Sequence, residues 1–138
     1  MRTVLFINAH SRQARKRADD VIENLKDIKK FNIIDVIVVE HLEQIDDYLA
    51  RLAKIKRLQC VIVGSGDGTI VAVLNALKNR KKIVFGFLPL GTSNTFVRSI
   101  GLPLNADDAL DVIRKQKIRP ASLGSVNDII FANIAGVG

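Results

Sequence analysis

The chain contains no tryptophan, one cysteine and two histidines among its 138 residues, and it has no run of 18 apolar residues. Each scarcity removes a class of function. Cys60 alone can neither close a disulfide within one chain nor build a cysteine metal centre, and a reducing cytoplasm suits it. His10 has no cysteine or carboxylate cluster around it and reads as a solvated loop residue. Ser11 has no His–Asp partnership visible in the sequence, so a hydrolase triad has no support. Nothing is long and apolar enough to span a bilayer as a helix, and Met1-Arg2-Thr3 leads straight into a short strand pattern where a secretory signal would be hydrophobic. Repeats, low-complexity tracts and linkers are absent too, which implies one domain over residues 1–138.

Hydrophobic residues make up 48% of the chain and charged residues 25%, a balance that excludes disorder as the main state. The formal charge is +7, from 21 Lys and Arg against 14 Asp and Glu, and the cations cluster at Arg12 to Arg17, Lys54 to Arg57, Lys78 to Lys82 and Arg114 to Arg119. Charge alone leaves nucleic acid, an anionic membrane surface and phosphate ligands open. The clusters favour helix ends, where cations match the helix dipole, so more than half of this charge reads as a solvated, dipole-matched surface.

Apolar runs alternate with amphipathic stretches. Thr3 to Ile7 reads as a strand covered on both faces and ends at Asn8, and a helix follows with Ala14, Ala18, Val21, Ile22, Leu25 and Ile28 on one face. Residues 31–39 give a second strand, and Ile45, Tyr48, Leu49, Leu52 and Ile55 mark a second helix. Cys60 to Val63 is a third strand. The helix from Thr69 to Lys78 has little polar face and is expected to be the more buried. Ile83 to Leu88 is a fourth strand, closed by Pro89. Thr92 or Asn94 is expected to cap a short helix with Phe96 packed beneath it, stopped by Gly101-Leu102-Pro103. Asn105 or Ala106 begins another helix. Residues 118–123 and 129–134 read as two short strands joined around Gly124 to Asp128. The class is α/β, in three layers: a mostly parallel sheet with helices on both faces.

Gly64-Ser65-Gly66-Asp67-Gly68-Thr69, between the third strand and the following helix, is the stretch that carries chemistry. Glycines at 64, 66 and 68 permit positive φ and close backbone approach, and the amides opening the next helix form an anion site. A carboxylate beside a phosphate needs a cation between them, so Asp67 suggests a Mg²⁺-nucleotide. The plain alternative is that Asp67 caps its own helix. As a loop carboxylate at a strand end, it is expected to tolerate Asp67→Asn without loss of the fold. Ligands of such sheets sit beyond the carboxyl ends of the strands, and three loops leave those ends: Asn8 to Ser11, Gly64 to Thr69 and Pro89 to Asn94.

Gly66-Asp67-Gly68-Thr69, then Leu88-Pro89-Leu90-Gly91-Thr92-Ser93-Asn94, then Arg98 to Pro103, resembles the diacylglycerol kinase catalytic domain family, which includes sphingosine, ceramide and bacterial lipid kinases. Asn8 and Ser11 match that family's first loop, and Asn133 to Gly138 resembles the segment closing its nucleotide-binding domain. This chain differs at Ser65, Ala9, Arg12, Thr95, Ala72 and Ser122; at the last three the family often has a carboxylate.

The resemblance implies an ATP-dependent lipid kinase, of which residues 1–138 are the nucleotide-binding domain without the family's β-rich second domain, and inactive alone. It implies ATP and Mg²⁺ as cofactors. Asn8, Ser11, Gly64, Ser65, Gly66, Gly68, Thr69, Gly91, Thr92 and Asn94 would bind nucleotide, and Asp67 would be catalytic and hold Mg²⁺, directly or through water. The partner would be a lipid at an anionic membrane surface, reached from the cytoplasm. Nucleic acid is not expected, and a homodimer is left open. Two rival readings are an inactive nucleotide-binding or regulatory module and an NAD-kinase-like enzyme acting on a soluble substrate.

Overall fold

A computed structural model describes residues 1–8, 12–91 and 93–131. The first strand, β1 (Arg2–Asn8), leads into α1 (Arg12–Lys26). Strand β2 (Asn32–Val39) follows, then a single 3₁₀ turn at Leu42–Gln44 and α2 (Ile45–Lys54). Next come β3 (Cys60–Ser65), α3 (Asp67–Ala76), β4 (Val84–Pro89), the short α4 (Thr95–Ser99) and α5 (Ala106–Lys115). A hairpin of β5 (Gly124–Val126) and β6 (Ile129–Phe131) ends the described chain.

Strands β1 to β4 form one parallel sheet in the order β2-β1-β3-β4. Side chains of a strand alternate between faces, and the apolar runs fill both. Val4, Phe6, Val61 and Val63 point into a core shared with Leu52 of α2, with Ile70, Val73 and Leu74 of α3, and with Phe96 of α4. Leu5, Ile7, Cys60 and Ile62 point the other way, against Ala18, Val21 and Leu25 of α1 and Ala109, Leu110 and Ile113 of α5. This is the three-layer α/β architecture expected from the sequence. The low polarity of α3 has the expected result: four of its residues are buried, against Leu52 alone in α2.

Two local expectations need correction. Residues 118–123 form no strand, and the hairpin starts later, at Gly124; it is antiparallel and separate from the main sheet. Asn127 and Asp128 sit at φ of 50° and 65°, the paired left-handed geometry of a two-residue hairpin turn. The second expected strand is β6, and its far end at Ile134 lies outside the described residues. Glycines 64, 66 and 68 do not use positive φ; among the described glycines only Gly101 does, at 75°, where it terminates α4.

Candidate functional site

The sheet changes direction between β1 and β3. From β1 the chain moves outward to β2 through α1 on one face, and from β3 it moves the opposite way to β4 through α3 on the other. Helices leaving two neighbouring strands on opposite faces open a crevice at the strands' carboxyl ends. Asn8 ends β1 there, and its Nδ2 donates to Thr69 Oγ1 at 3.1 Å, with both residues buried. The floor of the crevice is therefore tied across the switch point by two residues that sequence reading had named separately.

Ser65 is the last residue of β3, buried, and paired with Pro89 of β4. Its strand conformation explains why serine is tolerated: the position asks for no positive φ. Space is tight at Gly64 and Gly66 and is forbidding at Gly91. A Cβ at Gly64 would lie 3.0 Å from Leu90 Cδ1, and one at Gly91 would overlap Gly66 Cα and lie 3.0 Å from Gly66 N. The two loops touch backbone to backbone, and Leu90 N donates to Ser65 O at 3.3 Å. Gly68 differs, because it is exposed and a Cβ there would meet nothing within 4 Å.

The first backbone bond of α3 runs from Ile70 N to Gly66 O. The amides of Asp67, Gly68 and Thr69 thus precede the helix ladder, carrying the partial positive charge of a helix start. Asp67 does not cap this helix, whose N-cap Gly66 has no side-chain bond. Its carboxylate instead accepts Thr95 N at 3.0 Å and Phe96 N at 2.9 Å, the opening amides of α4. Asn94 occupies the N-cap position of α4 with φ 50° but makes no capping bond of its own. Its amide closes on Gly91 instead: Gly91 N donates to Oδ1 at 3.2 Å and Nδ2 donates to Gly91 O at 2.9 Å. Phe96 is buried beneath as expected, edge-on to Phe87 at 5.1 Å.

Asn8, Gly64, Ser65, Gly66, Asp67, Gly68, Thr69, Gly91 and Asn94 therefore meet around one crevice. Ser11 and Thr92 lie outside the described residues, as does the segment Asn133 to Gly138. The role of Asp67 as the acceptor for a second helix, 28 residues on, had no sequence signal. Among the described residues no group of three His, Cys, Asp or Glu could hold a metal ion, so Asp67 is not part of a carboxylate cluster.

A family model for the diacylglycerol kinase catalytic domain matches residues 2–126. The chain belongs to that family. Over 95 residues it is 37% identical to a diacylglycerol kinase of Bacillus subtilis, and over 79 residues 42% identical to a "Probable lipid kinase YegS-like" of Pseudomonas aeruginosa. These matches cover 66% and 56% of this chain but only 31% and 26% of the relatives, so the chain spans less than a third of the curated relatives it matches. The fold matches the crystal structure of a diacylglycerol kinase from Bacillus anthracis with a TM-score of 0.76 and 22% identity, covering 94% of this chain and 49% of that one. Among the described residues no helix is long and apolar enough to cross a membrane.

Proposed function

We propose that the crevice holds the phosphates of Mg²⁺·ATP and that this chain is the nucleotide-binding part of an ATP-dependent lipid kinase. Gly68 carries the reading. It stands in the first turn of α3, where alanine is the better helix former, yet neither φ nor packing demands glycine there. Space kept free beside the opening amides of a helix suits close approach by an anion. The amides of Gly66 to Thr69 would hold phosphate oxygens, and Thr69, fixed by Asn8, would present its hydroxyl from the floor. Asn94 holds the Gly91 loop against Gly66 and so shapes the facing wall. Ser11 and Thr92 remain proposed nucleotide contacts on the strength of the family motifs.

ATP would supply the phosphoryl group and Mg²⁺ would neutralise its charge. The ion keeps several waters and is usually held by one or two carboxylates together with the phosphates, which fits the single carboxylate of Asp67. The family's reaction is then phosphoryl transfer to a lipid hydroxyl at the face of an anionic membrane, with the protein positioning and neutralising charge. Residues 1–138 alone are expected to bind ATP weakly and to transfer almost nothing.

Equilibrium titration of the chain with ATP in Mg²⁺, beside Gly68→Ala, tests the site. Binding by the parent, weakened at least tenfold in a variant that melts no lower than the parent, is the expected result. Equal affinity of the two proteins would sink the assignment of the crevice. Phosphate transfer to diacylglycerol, monoacylglycerol, a sphingoid base and NAD, assayed in parallel, tests the reaction, and activity on NAD alone would refute the lipid reading.

A further inference from the structure

The two edges of the parallel sheet are treated differently. An edge strand offers a row of unpaired N–H and C=O groups, and folds ordinarily blunt it with a bulge, a charge or a cover. The β2 edge has the first two. Ile34 has no partner on β1, so the register slips there, and the next residue, Asp35, carries a charge that Arg51 of α2 holds with Nη2 to Oδ1 at 2.6 Å and Nε to Oδ2 at 3.1 Å. The β4 edge has neither device: Val84-Phe85-Gly86-Phe87-Leu88 is uncharged and pairs with β3 in unbroken register.

Bonds at the two ends of β4 fix which way each residue faces. Val84 N donates to Gln59 O at 2.9 Å and Leu90 N to Ser65 O at 3.3 Å, so the even-numbered residues turn their N–H and C=O groups towards β3. Phe85 and Phe87 turn theirs outward, where no described strand pairs with them. Phe87 is nonetheless buried, and a buried backbone group without a partner is costly. Beside this edge lies a cavity of about 560 Å³, walled by Val112 and Ile113 of α5 and by Ile100 and Leu102 after α4. Residues 118–121 also line it without pairing, since Pro120 has no N–H and Arg119 is tied by its side chain to Ile100 O. Gln116, held at φ 49° where α5 ends, lines it as well, and its Nε2 is buried with no hydrogen-bond partner among the described residues. The only charged side chains lining the cavity are Lys117 and Arg119.

We propose that the free edge of β4 receives one extended peptide segment of a partner protein, apolar at alternate positions and acidic at the end that meets Lys117 and Arg119. Three observations choose this occupant. The outward groups of Phe85 and Phe87 repeat at the two-residue step of a strand, so an added peptide about 4.8 Å away completes a ladder on β4. A hydrocarbon tail would suit the apolar walls but leave those groups and Gln116 Nε2 unpaired. The charged lining is cationic only, which selects carboxylates on the partner. The occupant is not the β4 of a second copy. Helix α5 lies over this strand, with Ile113 Cγ1 3.5 Å from where a Cβ of Gly86 would be. Two such strands paired at about 4.8 Å would force two α5 helices inside the 8–10 Å, roughly, that packed helices need.

The test is amide hydrogen exchange of the chain, read residue by residue by NMR, with and without a capped peptide of alternating valine and threonine that carries two glutamates at each end. In the free protein the amides of Phe85 and Phe87 should exchange faster than those of Gly86 and Leu88, which bond to β3. Millimolar peptide should slow Phe85 and Phe87 about tenfold or more. The same peptide N-methylated at its two central residues, which blocks both of its edges, should not. Lys117→Glu should weaken the peptide at least about threefold, and Lys29→Glu, the same charge change away from the cavity, should leave its affinity alone. Phe85 and Phe87 amides already as protected as their neighbours in dilute free protein would overturn the proposal, because the chain would then cover its own edge. Protection that rises with protein concentration in the absence of peptide would overturn it in favour of self-association. Equal protection by the N-methylated peptide, or none from either, would overturn the ladder. Palmitate binding at micromolar concentration with no peptide protection would overturn it in favour of an amphiphile site.

Discussion

The carboxylate of Asp67 accepts the amide of Phe96 at 2.9 Å, and its other oxygen accepts Thr95 N, so the first turn of α3 fixes the start of α4. This changes what the Asp67→Asn substitution should do. Asparagine offers one oxygen and no charge, so one α4 amide loses its acceptor and the other loses a charge-assisted bond. The structure therefore revises the expectation that the fold tolerates this change. Destabilisation of about 1–2 kcal/mol is expected together with weaker ATP binding. Urea melts monitored by circular dichroism measure the first effect; a melt superimposable on the parent would show that α4 does not depend on this carboxylate.

Gly91 and Gly68 should separate packing from ligand. In Gly91→Ala the new Cβ collides with backbone atoms of Gly66, which cannot rotate away, so loss of about 2 kcal/mol or more is expected. In Gly68→Ala the methyl meets nothing and the helix gains, by up to about 1 kcal/mol. Differential scanning calorimetry of the two variants side by side decides it. Melting temperatures moving in the same direction would contradict the contrast.

The sequence made the strands and helices legible because a doubly covered parallel sheet needs runs such as Thr3 to Ile7 and Cys60 to Val63, and its helices need one apolar face. The crevice was legible for the same reason, since Asn8, Gly64 to Thr69 and Gly91 stand at strand ends. Three features were not. The glycines announced a turn, but whether Gly66 served chirality or the approach of Gly91 depends on a loop 25 residues away. The partner of Asp67 is likewise distant. Residues 118–123 carry apolar side chains at strand-like spacing, yet strand formation needs a hydrogen-bonding neighbour, and the pairing falls to Gly124–Val126 with Ile129–Phe131 once Asn127 and Asp128 close the turn.

Cys60 reports on the intact sheet. Burial in β3 raises its thiol pKa from 9.0 to about 11, partly offset by the hydrogen bond with Thr3 and by the terminal amine. At pH 8 the folded protein should resist a thiol reagent that labels the unfolded chain at once. The linkage sign follows from the raised value. The neutral thiol is favoured by the fold, so its contribution is whole below pH 9 and is lost as pH rises towards 11, by about 3 kcal/mol. A Cys60→Ala protein should show less loss of stability over that interval. Identical alkaline profiles would refute the assignment.

Asn75 is the last test, because it joins the site-bearing helix to the hairpin. Ile130 N donates to its Oδ1 at 2.8 Å while its Nδ2 donates to Ile130 O at 2.9 Å and to Val71 O at 3.0 Å, so a side-chain amide pairs with β6 as a neighbouring strand would. Lys78 adds an ion pair to Asp128 at the turn, but on an exposed surface such a pair contributes little. The hairpin has three residues per strand and is not stable alone. Its place on α3 therefore rests on Asn75, together with the bond from Lys78 Nζ to Asp128 O and the packing of Ile130 on the core. Asn75→Ala should leave the parallel sheet intact and cost about 1–2 kcal/mol of hairpin docking. Amides of residues 124–131 should then exchange with deuterium about tenfold faster or more, while those of β1 and β3 keep their protection. Unchanged exchange across 124–131 would mean that the apolar contact of Ile130 with the core holds the hairpin without the amide.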